Sequence, residues 1–241
     1  RHELLIPMET GYPKEFRERF VAKPLKYRYS GDGKVYTPVL VRNAVEYEHF
    51  RKIYPSEAFY YQEYLEGGDS IYLLYYFGKD GSVFNLTQRN LAQLDNGGSM
   101  VLSGLCKEKL PIAEVFSDLM SGLGFTGFIM IEIRIIEDRC YVIEANPRFW
   151  GPAQLFVDAG YNLFEAFLSD WGFINKYPDR TVDSDAFYYW SGGIIQEKAR
   201  GGKVEVYTDD RAIVDDPPED IRKYDLYKRD DTIRIWRSES A

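Results

Sequence analysis

Four residues near the middle of the chain could together hold a cation and a phosphate: Glu132, Glu144, Asn146 and Arg148. They fall in the stretch Phe128 to Arg148, which alternates as two strands around a charged turn, Glu137-Asp138-Arg139. Strand side chains alternate faces, so Ile129, Ile131, Ile133 and Ile135 make one apolar face while Met130, Glu132 and Arg134 point the other way. On the second strand Val142, Glu144 and Asn146 share one face. A three-residue turn puts Ile136 opposite Cys140 and Glu132 opposite Glu144. A two-residue turn puts Glu132 opposite Ile143 and moves it to the other face. In the first register the two Cβ atoms stand roughly 5 Å apart. At an effective dielectric of about 20 their charges repel by about 3 kcal/mol. Two carboxylates and a carboxamide converging in this way invite a hard cation such as magnesium, which binds through one or two carboxylates plus phosphate oxygens.

The end of the second strand favours that chemistry over a plain amphipathic hairpin. Pro147 pushes Asn146 into extended backbone and ends the ladder, and Arg148 follows at once. Two oxygen ligands and a positive charge of phosphate-binding type thus meet at one strand terminus.

The run Ile143-Glu-Ala-Asn-Pro-Arg-Phe-Trp-Gly151, with an acid on the partner strand, resembles the magnesium-binding core of the ATP-grasp superfamily. Its wording is nearest to the carboxylate–amine ligases related to the carbamoyl-phosphate synthetase large subunit. The resemblance implies that Glu132, Glu144 and Asn146 hold Mg2+, with Mn2+ as an alternative, against the ATP phosphates. It implies that Arg148 faces the transferring phosphate. Further matches follow from the same resemblance. Lys23, in Val21-Ala-Lys-Pro24, corresponds to a lysine that reaches the phosphates. Gln62, Glu63 and Leu65 correspond to the inter-lobe hinge that reads adenine, and Asp69, beyond Gly67-Gly68, to the acid on the ribose. Arg89 corresponds to a cation near the phosphates. Ser30-Gly-Asp-Gly33 stands where the family has a glycine-rich phosphate loop, and Asp32 departs from that pattern by adding a negative charge.

Composition narrows the classes of function. The 241 residues are 45% apolar and 16% aromatic, enough for a real core, and carry a formal charge of -8. Such an acidic chain lacks the clustered cations of a nucleic-acid surface. No run approaches the ~18 apolar residues needed to span a bilayer. Two histidines leave little room for histidine-based triads or zinc sites, and the two cysteines, Cys106 and Cys140, lack metal-ligand spacing. They read as reduced, cytoplasmic residues.

The remaining punctuation sets the elements. Asn43-Ala-Val-Glu46 has the form of a capping box opening a helix bounded by Pro55. A strand pair is expected around Ser30–Gly33, and two apolar strands around Glu66-Gly-Gly-Asp69. Gly78–Gly81 reads as a hairpin turn, and Asn96–Ser99 as another glycine-rich break. Pro111 opens an amphipathic helix. Gly122-Leu-Gly-Phe-Thr-Gly127 has dinucleotide-fingerprint spacing, but it follows a helix and precedes a strand, the reverse of the required order, and so reads as a helix end and turn. Ala153 to Leu168 is expected as one helix, and 170–241 as strand-like, with turns at Gly192-Gly193, Gly201-Gly202 and Asp215–Pro218. Tyr188, Tyr189 and Trp190 read as core.

The expected fold is α+β of the ATP-grasp type: a remnant of a preceding region over 1–16, a small lobe over 17–65, a larger antiparallel-sheet lobe over 66–168, the two clasping ATP, and an extension over 169–241. Because the resemblance covers roughly residues 19–168, the family's preceding α/β domain is expected to be missing here or to lie on another chain. Three functions stay open: an ADP-forming ligase joining a small-molecule carboxylate to an amine, a nucleotide-binding module without turnover, and a kinase acting on a hydroxyl. No nucleic-acid or membrane partner is expected, and homo-oligomerisation stays open.

Overall fold

The computed structural model describes residues 3–95, 97–175 and 181–232. Asn96, at the head of the expected Asn96–Ser99 break, and residues 176–180 and 233–241 of the C-terminal region lie outside the described residues. The chain forms two compact units, 5–67 and 68–241, the latter with 1–4. The first strand, β1 (Glu3–Leu5), lies at the edge of the larger of two sheets.

In the smaller unit β2 (Glu9–Thr10), β3 (Phe20–Pro24), β4 (Val39–Val41) and β5 (Phe59–Glu63) form an antiparallel sheet in the order β2-β5-β3-β4. Helix α1 (Ala44–Ile53) packs Tyr47 and Phe50 against Phe20, Phe59 and Tyr61. Its start keeps the Asn43 half of the expected capping box, while the return bond is shifted by one residue. Asn43 Oδ1 accepts from the N–H groups of Val45 and Glu46, both at 3.0 Å, and Glu46 reaches back to the Arg42 N–H. Two donors that a helix start otherwise leaves unpaired are satisfied this way. The strand pair expected around Ser30–Gly33 is present but set well back from it. β3 pairs with β4 across a long connection, and residues 29–34 form a turn closed by Tyr29 N–H to Lys34 O at 2.9 Å. Asp32 explains the turn, since its carboxylate accepts from the Lys34 N–H at 2.9 Å, the side-chain-to-backbone closure that acids favour in turns.

The larger unit is organised by β6 (Asp69–Phe77), β7 (Val83–Leu94), β8 (Met100–Leu105), β9 (Gly127–Ile136) and β10 (Arg139–Asn146), in the order β10-β9-β6-β7-β8. Helix α2 (Pro111–Gly122) covers one face. Its Ile112, Ala113 and Phe116 pack on Ile71, Leu73, Tyr75, Ile129, Ile131 and Ile133, so the isoleucine alternation of β9 buries its expected side. Gly124, at φ +67°, ends that helix, confirming a helix stop where the glycine spacing mimics a fingerprint. The other face carries Tyr72, Leu74, Tyr76, Phe84 and Met130 beneath two short helices, α3 (Gln154–Asp158) and α4 (Leu163–Asp170). Sequence periodicity points to one helix over Ala153–Leu168. Gly160, at φ +75°, breaks it and Asn162 caps a new one by accepting from the Phe164 N–H.

The C-terminal region is less strand-like than its sequence suggests. β11 (Phe187–Tyr189) extends the sheet beyond β8, and β12 (Val204–Val206) pairs with β7 past the end of β6. Between them Ser191–Ala199 is a helix, α5, running through Gly192-Gly193 in place of the expected turn. Those glycines serve close packing: a Cβ on Gly192 would lie 1.6 Å from the Tyr227 ring, and one on Gly193 2.5 Å from the Trp190 ring. A short helix, α6 (Glu219–Arg222), follows. Among the described residues no helix is long and apolar enough to cross a membrane.

Candidate functional site

Glu132 on β9 and Glu144 on β10 are direct cross-strand partners. They reach that register by an unexpected route. The turn has two residues, Glu137 and Asp138, so Arg139 pairs with Ile136 and Cys140 with Ile135. Continued without interruption, that register would set Ile143 opposite Glu132. A bulge between Val142 and Glu144 absorbs the extra residue and brings Glu144 to Glu132 instead. The bulge also corrects a sequence expectation. Val142 packs on the apolar α2 side of the sheet and does not share a face with Glu144. Asn146 does stay with Glu144, donating its amide N–H to Glu144 Oε1.

Both glutamates line a cavity of about 410 Å3, together with Arg148 from the Asn-Pro-Arg segment. The row across the sheet runs Glu144, Glu132, Tyr72, Gln88. Burial, reinforced by the charges of Glu132 and Glu144, holds the Tyr72 hydroxyl well above the usual tyrosine range, so it stays protonated. One row along, Arg134 sits over the Tyr207 ring at 4.8 Å, and Tyr207 donates to Gln93 Oε1 at 2.8 Å. The rest of the cavity wall mixes aromatic and apolar side chains with Gln93, Ser99 and glycine backbone. Trp150, Tyr188, Trp190, Met100 and Leu226 contribute to it. Sequence reasoning did not find this wall. Its members lie far apart along the chain, and the only local signal was the aromatic density of Tyr188–Trp190.

Glu132, Glu144 and Asn146 offer the donor types of a hard-cation site. Two opposed carboxylates gain from a positive charge between them, and their oxygens suit Mg2+ better than a thiophilic metal. Among the described residues no group of three or more His, Cys, Asp or Glu gathers as a metal cluster. Further ligands beside the two carboxylates would come from neutral oxygen donors such as Asn146, water or a bound phosphate.

Asp69 and Arg89 stand elsewhere on the same sheet. Asp69 pairs with Ile135 and Arg89 with Ile71, both on the α2 side, whereas Glu132 pairs with Tyr72 on the opposite side. Arg89 donates to Asp69 Oδ1 at 3.0 Å and to Glu108 Oε2 at 2.7 Å. The sheet thus separates Arg89 from the opposed glutamates, a correction to the sequence expectation that it joins them at the phosphates. Strand parity is the cause.

The other expected residues belong to the smaller unit. Lys23 is half-buried on β3, opposite Tyr60 of β5. Gln62 is buried on β5, and Glu63 is tied to Met8 by its backbone N–H and by its carboxylate, which accepts the Met8 N–H at 2.7 Å. Leu65 lies half-buried past the strand end. Gly67 and Gly68 both take positive φ, 73° and 74°, so the break expected between β5 and β6 is real.

Each of these two units mixes an antiparallel sheet with helices, and the solved structures with which the chain aligns share the ATP-grasp fold. No family profile matches the chain, and no curated protein matches it in sequence. Solved structures do match. An ADP complex of N5-carboxyaminoimidazole ribonucleotide synthetase aligns with a TM-score of 0.55 at 12% identity, over 99% of this chain and 69% of its own. The biotin carboxylase domain of Hydrogenobacter thermophilus 2-oxoglutarate carboxylase, in complex with MgADP, aligns at 0.52 and 12% identity over 76% of this chain and 46% of its own. Biotin carboxylase from Campylobacter jejuni, in a complex with a βγ-ATP ligand, gives 0.51 and 12% over the same shares, 76% and 46%. The chain spans less than half the length of most of these matching structures, from 39% to 46%.

Proposed function

We propose that the protein is an Mg-ATP-dependent ligase, which activates a small-molecule carboxylate as an acyl phosphate for attack by an amine or similar nucleophile and releases ADP and phosphate. The observation that carries this reading is the Glu132–Glu144 opposition at a cavity also lined by Arg148. The neighbours' complexes with ADP and MgADP support it. In this reading Glu132, Glu144 and Asn146 hold Mg2+, which when bound neutralises phosphate charge. Arg148 and Lys23 add fixed cations where negative charge develops during transfer, the form of catalysis phosphoryl transfer relies on. Gln62, Glu63 and Leu65 receive the adenine, whereas the ribose role expected of Asp69 is given up, since Asp69 lies with Arg89 on the α2 side of the sheet, away from the opposed glutamates. The two free thiols, Cys106 and Cys140, suit a reducing compartment such as the cytoplasm.

A second reading, a nucleotide-binding module without turnover, is favoured by one observation. Asp32 accepts the Lys34 N–H in the turn where the family's loop offers such groups to phosphate. The test is a carboxylate and amine panel with the natural full-length protein, with hydroxylamine present to trap acyl phosphate. The ligase reading expects ADP release that needs a carboxylate, hydroxamate formation, and loss of both in Glu144→Ala and Arg148→Ala. AMP and pyrophosphate as products would refute it, and inactivity across the panel with intact ATP binding would leave the module.

A further inference from the structure

Strand β12 is bonded to one lip of the cavity. It pairs Val204 with Leu94, Glu205 with Gln93 and Val206 with Ala92, and the Tyr207 N–H then donates to the Leu91 carbonyl at 2.9 Å. Gln93 and the lip Gly97-Gly98-Ser99 line the cavity together with Glu132, Glu144 and Arg148. A glycine pair has no side chain to anchor it and a wide choice of backbone conformations. The place of this lip therefore depends on the bonds made to it. The Asp95 N–H donates to the Lys203 carbonyl of the β12 segment at 3.0 Å. Gln93 Nε2 donates to the Gly98 carbonyl at 2.7 Å, and the Tyr207 hydroxyl donates to Gln93 Oε1 at 2.8 Å.

The direction of that chain follows from what each group can do. The Gly98 carbonyl only accepts, so the amide nitrogen of Gln93 faces it and the amide oxygen is left to Tyr207. That oxygen also only accepts, so the Tyr207 hydroxyl is the donor. Burial first, then the charge of Glu205, holds this hydroxyl above the usual tyrosine range and keeps its proton in place. Arg134 lies over the ring at 4.8 Å, within the reach of a cation–π attraction. Arg134 pairs with Ser70 and Glu132 with Tyr72, on the same face of β9. Tyr207 thereby touches both β9, beside Glu132, and the support of the lip. Gln93 is itself buried, so its amide oxygen is costly to leave without a donor.

We infer that Tyr207 is a positioning residue of the candidate site: it holds Gln93 in one orientation and, through Gln93, holds the 97–99 lip at the cavity. The chain beyond β11 thus supplies part of the site's support. The inference rests on the ligase reading only for what the cavity binds, since the bonded chain stands without it.

Amide exchange of Leu94, Asp95 and Gly98, followed by NMR with Leu73 and Ile131 of the sheet core as reference, reads the lip directly. Tyr207→Phe keeps the ring for Arg134 and removes the hydroxyl. Exchange at the lip should quicken about three- to tenfold, the span of one lost hydrogen bond, while the core amides change by less than about twofold. Calorimetry with Mg2+ and a non-hydrolysable ATP analogue is the second readout. Affinity should fall about three- to tenfold in Tyr207→Phe and in Gln93→Leu. The double variant should lose no more than the larger single loss, because the two residues act through one chain. Unchanged exchange at the lip, core amides that quicken as much as the lip, unchanged affinity, or losses that add in the double variant overturn the proposal. If Tyr207→Phe fails to fold by circular dichroism, Gln93→Leu carries the exchange measurement with the same expected result. A wild-type protein that binds no Mg-ATP analogue would overturn the ligase reading, and lip exchange alone then decides the role of Tyr207.

Discussion

Glu132 and Glu144 face each other across β9 and β10 because a bulge next to Ile143 cancels the offset of a two-residue turn. Neither device alone gives that pairing. The two-residue turn without the bulge would set the acid of β9 against an isoleucine and send Glu144 toward the α2 side. The opposition places like charges as cross-strand neighbours, an arrangement that costs stability in the absence of a cation.

That cost can be measured. Glu132→Gln and Glu144→Gln should each raise the urea midpoint of the protein in chelator. The gain should stay below the about 3 kcal/mol of an unscreened pair at an effective dielectric of about 20, because Glu144 is exposed to solvent and salt. Lower midpoints for both variants would mean that the pair is not repulsive.

Mg-ATP should stabilise the wild-type chain. At a hundredfold excess over its dissociation constant the gain is about 2.7 kcal/mol, or roughly 2–4 °C in melting temperature for a chain of this size. Glu144→Ala should abolish the magnesium-dependent part of that shift. A shift of full size in this variant would remove Glu144 from the metal site.

The hinge glycines should differ in their tolerance. Gly67, at φ 73°, has nothing within 4 Å of where an added Cβ would stand, whereas a Cβ on Gly68 would lie 2.2 Å from the Ile135 carbonyl oxygen. Gly67→Ala should therefore cost only the left-handed strain, about 1–2 kcal/mol. Gly68→Ala should cost clearly more, since a backbone oxygen of β9 has to move. Equal urea midpoints for the two variants would contradict the close approach.

Stability should fall at alkaline pH. Burial raises the Cys140 thiol to about 11 and the Tyr188 hydroxyl to about 12, against ordinary values of 9.0 and 10.0. Both groups stay protonated longer in the folded chain than in the unfolded one. Their contribution is therefore complete below about pH 9 and declines as pH rises toward 11 and 12. A displacement of this size is worth about 2–3 kcal/mol for each group. Urea midpoints between pH 8 and 11.5 should show the decline, and Tyr188→Phe should flatten its upper part. A flat wild-type profile would refute the assignment.

The sequence by itself determined the features that depend on a few neighbouring residues. The Asn43–Glu46 cap, the helix start at Pro111, the Gly67-Gly68 break and the isoleucine face of β9 follow from short-range sterics and a two-residue period. The Glu-Ala-Asn-Pro-Arg run pointed to the larger sheet's strand end as the candidate place for metal and phosphate chemistry. Tertiary structure decided what hinges on one residue of register or on distant segments meeting. Strand parity put Asp69 and Arg89 on the α2 side and Glu132 on the other, and a bulge no local signal announces restored Glu144 to its partner. Packing against Tyr227 and Trp190 turned Gly192-Gly193 from an expected turn into helix. The cavity wall of Trp150, Tyr188, Trp190 and Leu226 exists only once β8, β11 and the following turns are assembled. Side-chain direction in a sheet reverses with every residue, so a single insertion in the ladder changes what a site contains while leaving the local pattern nearly untouched.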